Sequence, residues 1–466
     1  MNNSRVLSTL LAGLCLALNA NAAPILLATG TLASNGADLS QATAGLLENG
    51  LAGNLLGALG SGLAWAGGNT FIATPDRGPN ATPWNSAVDD TTSYIARFQT
   101  LQLGLVKNDS GSGLAWSLAP VLSATTLMYS ATPLVYAAGG APTLNTASGR
   151  NYFTGRSDNF DPAGLSSNPN NARFDPEAVR VSKDGKTIFV SDEYGPYVYQ
   201  VDRTTGMRVR AYALPANLAI KHLSASGDAE IAGNTSGRVA NKGMEGLAIT
   251  PDGKTLVGIM QAPLKQDNPK NLRIVSIDIA SGETHEYAYM LTTGSGVSEI
   301  VALNDHQFLV DERDGKGLGD ASSAAVKQVF KIDLAGAQDV TALAGDLSAR
   351  AVKKALVLDM VALLKANGLS GTQIPAKLEG LAFGADVIND GTLLHTLYVA
   401  NDNDFVSKVA GDNKFYVFGI SDADLAKVGA TYVAQQFTDV PEPSTVMLML
   451  CAVAALAAAY LRRHQV

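Results

Sequence analysis

Residues 175–193 read Asp-Pro-Glu-Ala-Val-Arg-Val-Ser-Lys-Asp-Gly-Lys-Thr-Ile-Phe-Val-Ser-Asp-Glu, and residues 244–261 say nearly the same thing again. The two stretches align without a gap, with Glu177 on Glu245 and Asp184-Gly-Lys-Thr on Asp252-Gly-Lys-Thr. Looser copies open at Ser61-Gly-Leu, Ser298-Glu-Ile and Leu378-Glu-Gly-Leu. Each copy is a short alternating run, a turn and a second run. Alternation is the period of a strand, and Asp-Gly between two such runs is a hairpin signal. A strand–turn–strand unit cannot bury its apolar face alone, so its repetition demands that the copies pack on one another. Adding outward strands at 197–202, 207–214, 271–279 and 329–334 gives each unit three or four strands, the signature of a β-propeller. Openings at Gly62, Glu177, Glu245, Glu299 and Glu379 mark five units, and the long interval between the first two leaves room for a sixth. The expected fold is therefore all-β, a six-bladed β-propeller with helical insertions over 61–437; a pair of β-sandwiches is the plainer alternative. Residues 343–368, with Ala, Leu and Val at helical spacing, predict a helix between blades. Residues 431–437 are expected to pair back with an N-terminal strand near 25–29, and 24–60 form a Gly/Ala-rich leading segment.

The two ends differ from the middle. Residues 1–23 carry Arg5, an apolar run over 6–18 and the small-residue ending Asn-Ala-Asn-Ala-Ala, which predicts a Sec-type signal peptide cut near Ala22 or Ala23. Residues 440–466 run from Pro-Glu-Pro through an apolar stretch at 446–461 to Arg462-Arg463. This predicts a single C-terminal transmembrane helix with a cytoplasmic stop. The order Pro-Glu-Pro, apolar helix, Arg-Arg closely resembles the PEP-CTERM sorting signal of Gram-negative bacteria. That resemblance implies an exosortase as processing partner, transient anchoring by the helix, and delivery to the cell surface or extracellular matrix.

A net charge of −8 argues against a nucleic-acid or anionic-membrane partner, and removal of both ends makes the balance more acidic still. The two cysteines, Cys15 and Cys451, lie in the terminal apolar runs, so the middle of the chain has neither disulfide nor thiol chemistry.

In a propeller the ends of the inner strands surround a central channel, so repeated positions at one end converge. Those positions are Glu177, Glu245, Glu299 and Glu379 at the openings. At the ends of the second strands they are Asp76-Arg77, Asp192-Glu193, Asp311-Glu312-Arg313 and Asp402-Asn403-Asp404. Clustered carboxylates repel one another and need protons, arginines or a metal. An oxygen-only set of Asp, Glu and Asn suits Ca²⁺, or Mg²⁺ in a small site; a zinc site lacks its His and Cys ligands. The competing reading is structural: a Glu opening a strand accepts N–H bonds from the next blade, and an Asp after a strand makes a turn. Gly-Lys-Thr at both hairpins lacks the upstream glycine of a phosphate loop and reads as a turn. No Gly-x-Ser-x-Gly elbow supports a serine hydrolase. Trp65, Trp84 and Trp116 read as core or rim aromatics.

Asp-Pro-Glu-Ala at 175–178, Ser-Asp-Glu-Tyr-Gly-Pro at 191–196, Met-Glu-Gly-Leu at 244–247, Ser-Glu-Ile at 298–300, Asp-Glu-Arg-Asp at 311–314, Leu-Glu-Gly-Leu at 378–381 and Ala-Asn-Asp-Asn-Asp-Phe at 400–405 together resemble the phytase-like family, "esterase-like activity of phytase". The resemblance spans roughly 61–420 and implies a propeller and hydrolysis of phosphate or other small esters assisted by Ca²⁺. Metal ligands are then expected among Asp76, Glu177, Glu245, Glu299, Asp311, Glu312, Glu379, Asp402 and Asp404, and catalytic roles at Glu177, Asp192, Glu193, Arg77 and Arg313. Arg156 and Arg173 are weaker phosphate-binding candidates. One departure stands out: Met260-Gln261 occupies the place of Asp192-Glu193. The rival expectation is a non-catalytic, calcium-stabilised surface propeller that binds exopolysaccharide or matrix components; a lactonase or carboxylesterase on the same scaffold is a third.

Overall fold

The computed structural model describes residues 23–79, 89, 91–144, 149–159 and 167–438. Residues 1–22 and 439–466 lie outside it, and with them nearly all of the expected signal peptide and the whole expected sorting helix. No helix among the described residues is long and apolar enough to cross a membrane.

The repeat folds into five four-stranded antiparallel blades. Blade I is Gly62–Trp65, Thr70–Thr74, Arg97–Gln102 and Val121–Leu127. Blade II is Pro176–Val181, Thr187–Asp192, Tyr197–Asp202 and Met207–Ala213, and blade III is Met244–Ile249, Thr255–Met260, Asn271–Asp278 and Thr284–Met290. Blade IV is Gly296–Ala302, Gln307–Arg313, Lys327–Asp333 and Lys354–Asp359. Blade V takes Lys377–Phe383, Thr392–Asp402 and Asn413–Ile420 from the C-terminal part of the chain and Ile25–Leu32 from the N-terminal part. That last pairing closes the ring, and the five inner strands pack side by side as a closed circle. A separate apolar wedge fills each junction: Ile72 and Phe98 meet Val179 and Val190, Ala178 and Phe189 meet Leu247 and Met260, and so on around to Leu63 and Phe71 against Ala400 and Val417.

The expected sixth blade is absent among the described residues. A separate hairpin of Leu105–Lys107 and Trp116–Leu118 is inserted between the third and fourth strands of blade I, and the interval after blade I holds Tyr129–Ser130 and Asn151–Tyr152, which extend the outer edge of blade II. A blade needs its own channel-lining strand, and the described part of this interval supplies none. Two further expectations are corrected. Residues 343–368 are not one helix: Ser348–Arg350 is a single 3-10 turn, Lys354–Asp359 is the outermost strand of blade IV, and only Met360–Ala366 is α-helical, with the Asp359 side chain capping it at Ala362 N. An open sheet edge offered the Ala-Leu-Val-Leu run a hydrogen-bonded ladder, which outweighed its helical spacing. Residues 431–438 do not pair with the N-terminal strand, whose partner is Asn413–Ile420. They cross the far end of the channel as a strap, with Val433 N on Leu303 O, Gln435 Nε2 on Val181 O and Thr438 N on Lys183 O.

Glycine in the repeated Glu-Gly-Leu lets neighbouring inner strands touch. Gly380 N donates to Gly60 O at 2.5 Å, and a Cβ on Gly380 would stand 2.9 Å from Leu63 N and 3.0 Å from Gly60 O. Backbone cannot yield there as a side chain can. Gly380→Ala is expected to lower stability by about 1–3 kcal/mol through overpacking, read from urea denaturation midpoints at an unchanged slope.

Candidate functional site

In blades II to V the pairing between inner and second strand slips at or beside the repeated Glu: between Pro176 and Val179, Met244 and Gly246, Val297 and Glu299, and Leu378 and Leu381. Blade I has Ser61 in the matching place and pairs without a slip. A bulge adds a residue on one strand and re-aims its side chain. Here the bulges gather acids at the end of the channel where the inner strands begin.

The structure brings most of the expected residues together. Asp175, Glu177 and Glu193 form one group and Asp76, Asp402 and Asp404 another, each with one oxygen per residue within 4.8 Å of the others. Asp192, Glu245 and Glu379 complete the mouth. Three cations face them. Arg77 donates to Asp175 through its backbone N and Nη1, both at 2.9 Å. Arg313 grips Glu379 and reaches to 3.6 Å from Glu245, and Lys377 bonds Asp402 at 2.9 Å and Asp404 at 2.5 Å. Among the described residues the mouth therefore holds far more carboxylates than cations.

The electrostatics show the excess. Burial, then the charges of Glu245, Asp175, Glu193 and Asp76, raise the Glu177 carboxyl well above its ordinary value. Burial and Asp402 do the same for Asp76, and burial, Glu193 and Glu379 for Glu245. Burial pushes Asp192 up to about 7, despite N–H bonds from Asp175 and Tyr194. Burial and Asp175 push Glu193 up to about 7, and burial with Asp404 brings Asp402 to about 7. Glu193 is the clearest case: Oε1 accepts Gly243 N–H at 3.1 Å, while Oε2 is buried without a hydrogen-bond partner among the described residues. An orphaned buried carboxylate oxygen beside two other acids fits a cation.

Three expected ligands stand apart from these groups. Glu299 turns to the neighbouring backbone, accepting Leu247 N–H at 3.0 Å and Ile300 N–H at 2.9 Å, and pairs with Arg180 at 3.0 Å. Arg180 also donates to Leu63 O, Val179 O and Ile300 O, closing the channel below the mouth. Glu312 points away from the channel, where Lys354, Tyr289 OH and the 292–294 backbone hold it. Its strand neighbours Asp311 and Arg313 face the other side, as alternation requires. Asp311 is fully buried, both its oxygens lack a partner among the described residues, and burial pushes it up to about 8. Arg156 binds Glu48 and Asp158 away from the mouth, and Arg173 lies behind it, 3.4 Å over the Tyr194 ring.

Asp175 and Lys377 were not among the expected site residues. Both sit two positions before a repeated Glu, where blades III and IV have Gly243 and Val297. A charge at that variable position is the signal that could have found them.

A family model described as "Phytase-like: Esterase-like activity of phytase" matches residues 54–405, from before blade I through the acidic end of blade V. The chain belongs to the phytase-like family. A relative of this phytase-like chain, an "uncharacterized secreted protein" of Arthroderma benhamiae, is 31% identical over 176 residues. The match covers 30% of this chain and spans about a third of that relative, 34% of its length. Among solved structures, the phytase-like chain aligns with the hydrazine synthase of Kuenenia stuttgartiensis at 12% identity and a TM-score of 0.32, over 76% of this chain and 79% of that one. It aligns with a luciferin-regenerating enzyme at 10% identity and a TM-score of 0.30, over 83% and 97%. Neither likeness bears on the activity.

Proposed function

We propose that this is an exported, calcium-assisted phosphoesterase whose centre is the acidic mouth of the propeller. The reading rests on the surplus of buried carboxylate at that mouth, with Glu193 Oε2 unpartnered between Asp175 and Glu177. Calcium would be held by Asp175, Glu177 and Glu193, and by Asp76, Asp402 and Asp404. When bound it supplies positive charge for a phosphoryl oxygen and makes a nearby water more acidic. Arg77, Arg313 and Lys377 orient the phosphoryl oxygens and offset the charge that develops on them. Glu177, a carboxylate at the mouth beside Asp175 and Glu193, takes a proton from the attacking water as its oxygen bonds phosphorus. The ester P–O bond then breaks, and the departing alkoxide takes up a proton.

Export by a cleaved signal peptide, and processing by an exosortase at the PEP-CTERM-like end, belong to the same proposal; the secreted relative supports the first. The 24–438 protein should release phosphate from p-nitrophenyl phosphate or phytate with calcium and stop in EDTA. Glu177→Gln should lower kcat about 10²–10⁴-fold, the usual worth of a positioned base. Hydrolysis of p-nitrophenyl acetate alone would move the activity to carboxylic esters. Calcium that raises the melting temperature with no turnover on any ester would make the protein a matrix-binding scaffold instead.

A further inference from the structure

The second strand of blade III lacks the acidic ending of its counterparts. Blade II ends its second strand in Asp192-Glu193, blade IV in Asp311-Glu312-Arg313 and blade V in Asp402-Asn403-Asp404, but blade III ends in Met260-Gln261. Met260 is buried in the wedge between blades II and III. Gln261 faces the mouth, where its Nε2 donates to Glu245 Oε1 at 2.8 Å. Beside it a cleft opens between blades III and IV, lined by Lys242, Gln261, Ser295, Gly296 and Arg313 among others, and no acidic side chain among the described residues lines it. Backbone bonds fix its walls: Gln261 N donates to Gly243 O at 2.9 Å, Val297 N to Gln261 O at 3.3 Å and Ser295 N to Arg313 O at 2.9 Å. Lys242 is exposed at its rim and forms no ion pair among the described residues.

We propose that this cleft is the anion subsite of the mouth, receiving a phosphate group of the substrate between Lys242 and Arg313, with Gln261 and Ser295 as neutral hydrogen-bonding partners. The inference deepens the phosphoesterase reading and rests on it for the identity of the ligand. In the other sectors the cations Arg77 and Lys377 are each tied to acids, Asp175 or Asp402 and Asp404, that repel an incoming phosphate. Through blade III it meets Lys242 first and then Arg313, which reaches from the cleft into the carboxylate group at Glu245 and Glu379. An acid at position 261, as its repeat counterpart Glu193 has, would set a like charge against the incoming group. The departure from the repeat, next to a blade whose Glu299 and Glu312 are turned to other partners, is thus what leaves this side of the mouth open to an anion.

The test is equilibrium dialysis of radiolabelled inorganic phosphate, at concentrations too low to precipitate calcium, against the calcium-loaded 24–438 protein. Lys242→Met, a rim change that leaves the core untouched, should weaken binding about tenfold, as expected when one charge-assisted hydrogen bond is removed. Gln261→Glu should weaken it about a hundredfold, because a repulsion replaces a neutral hydrogen-bonding partner. Both variants should keep the calcium-induced rise in melting temperature, and KM for p-nitrophenyl phosphate should rise in step with the weakened affinity. Unchanged phosphate affinity in both variants, or no phosphate bound by the parent protein, overturns the subsite. If the variants still hydrolyse phosphate esters with parental KM while Glu177→Gln does not, the subsite falls and the enzyme stands. Phosphate bound and weakened as expected with no ester turned over leaves the subsite and removes the enzyme.

Discussion

Stripped of calcium with EDTA, the propeller should melt at a lower temperature near about pH 8 than near about pH 5, the reverse of the ordinary acid lability of carboxylate-rich proteins. Asp192, Glu193 and Asp402 are pushed up to about 7 and Asp311 to about 8, while Glu177, Asp76 and Glu245 are raised as well. In the unfolded chain such groups titrate near about 4. Between those values the folded protein holds protons that the unfolded chain has released, so stability is full below about pH 4 for these groups and is lost as pH rises through 7 and 8. Each group contributes a slope of up to about 1.4 kcal/mol per pH unit. Several acids act in the opposite sense, among them Asp333 and Asp339, which despite partial burial are held down to about 2 by hydrogen bonds. Against the cost of burial, Lys377 holds Asp404 below its ordinary value, and Lys354 with Tyr289 holds Glu312 below its own. Their contribution disappears in strong acid, which places the metal-free optimum in the mildly acidic range. Calcium needs the ionised acids, so its stabilisation should grow with pH and flatten the profile. Calorimetric melts across this range, with EDTA and with millimolar calcium, decide the matter. A metal-free melting temperature that rises from mild acid to pH 8 would sink this account of the mouth.

Replacing Arg180 by Met should cost about 3–5 kcal/mol, the usual consequence of leaving one partner of a buried ion pair alone. Glu299 is fully buried and has no other cationic side chain bonded to it among the described residues, and Arg180 also serves three backbone carbonyls contributed by blades I, II and IV. A second change, Glu299→Gln, removes the stranded charge but keeps an oxygen for Leu247 N–H and Ile300 N–H. The double variant Arg180→Met/Glu299→Gln should therefore recover much of the loss, and Glu299→Gln alone should be milder than Arg180→Met. Denaturation of the four proteins in urea gives the coupling directly. Equal losses in the single and double variants would show that Arg180 acts through the carbonyls rather than through Glu299.

The repeat made the radial fold legible because Asp184-Gly185 and Asp252-Gly253 mark hairpins and the alternating runs beside them mark strands. The number of blades was not legible. An interval such as 75–173 has the length of a blade, and only pairing partners reveal that its described strands belong to blade I, to a separate hairpin or to the outer edge of blade II. Lys354–Asp359 was hidden for a related reason, since an edge strand of Ala, Leu and Val carries no period that a helix lacks. The acidic mouth was legible through repeated Glu positions, which alignment finds. The bulges that aim them were not, because a slip in register leaves no mark in the residues. Nor could the sequence separate Glu177, which joins other acids, from Glu299, which turns to the backbone; both open a strand in the same words. Asp175 and Lys377 escaped because comparing repeats favours what recurs, whereas a site also uses what differs between blades.

The strap over residues 431–438 has a mechanical consequence. It is tied by backbone and side-chain bonds to blades II and IV, and Phe437 lies 5.4 Å from the ring of Trp65 in blade I, so it is stitched across the ring rather than hanging from its last strand. Thr438 leaves beside Lys183, at the end of the channel opposite the carboxylates. A pull applied at Thr438 would load several blades at once rather than peel blade V.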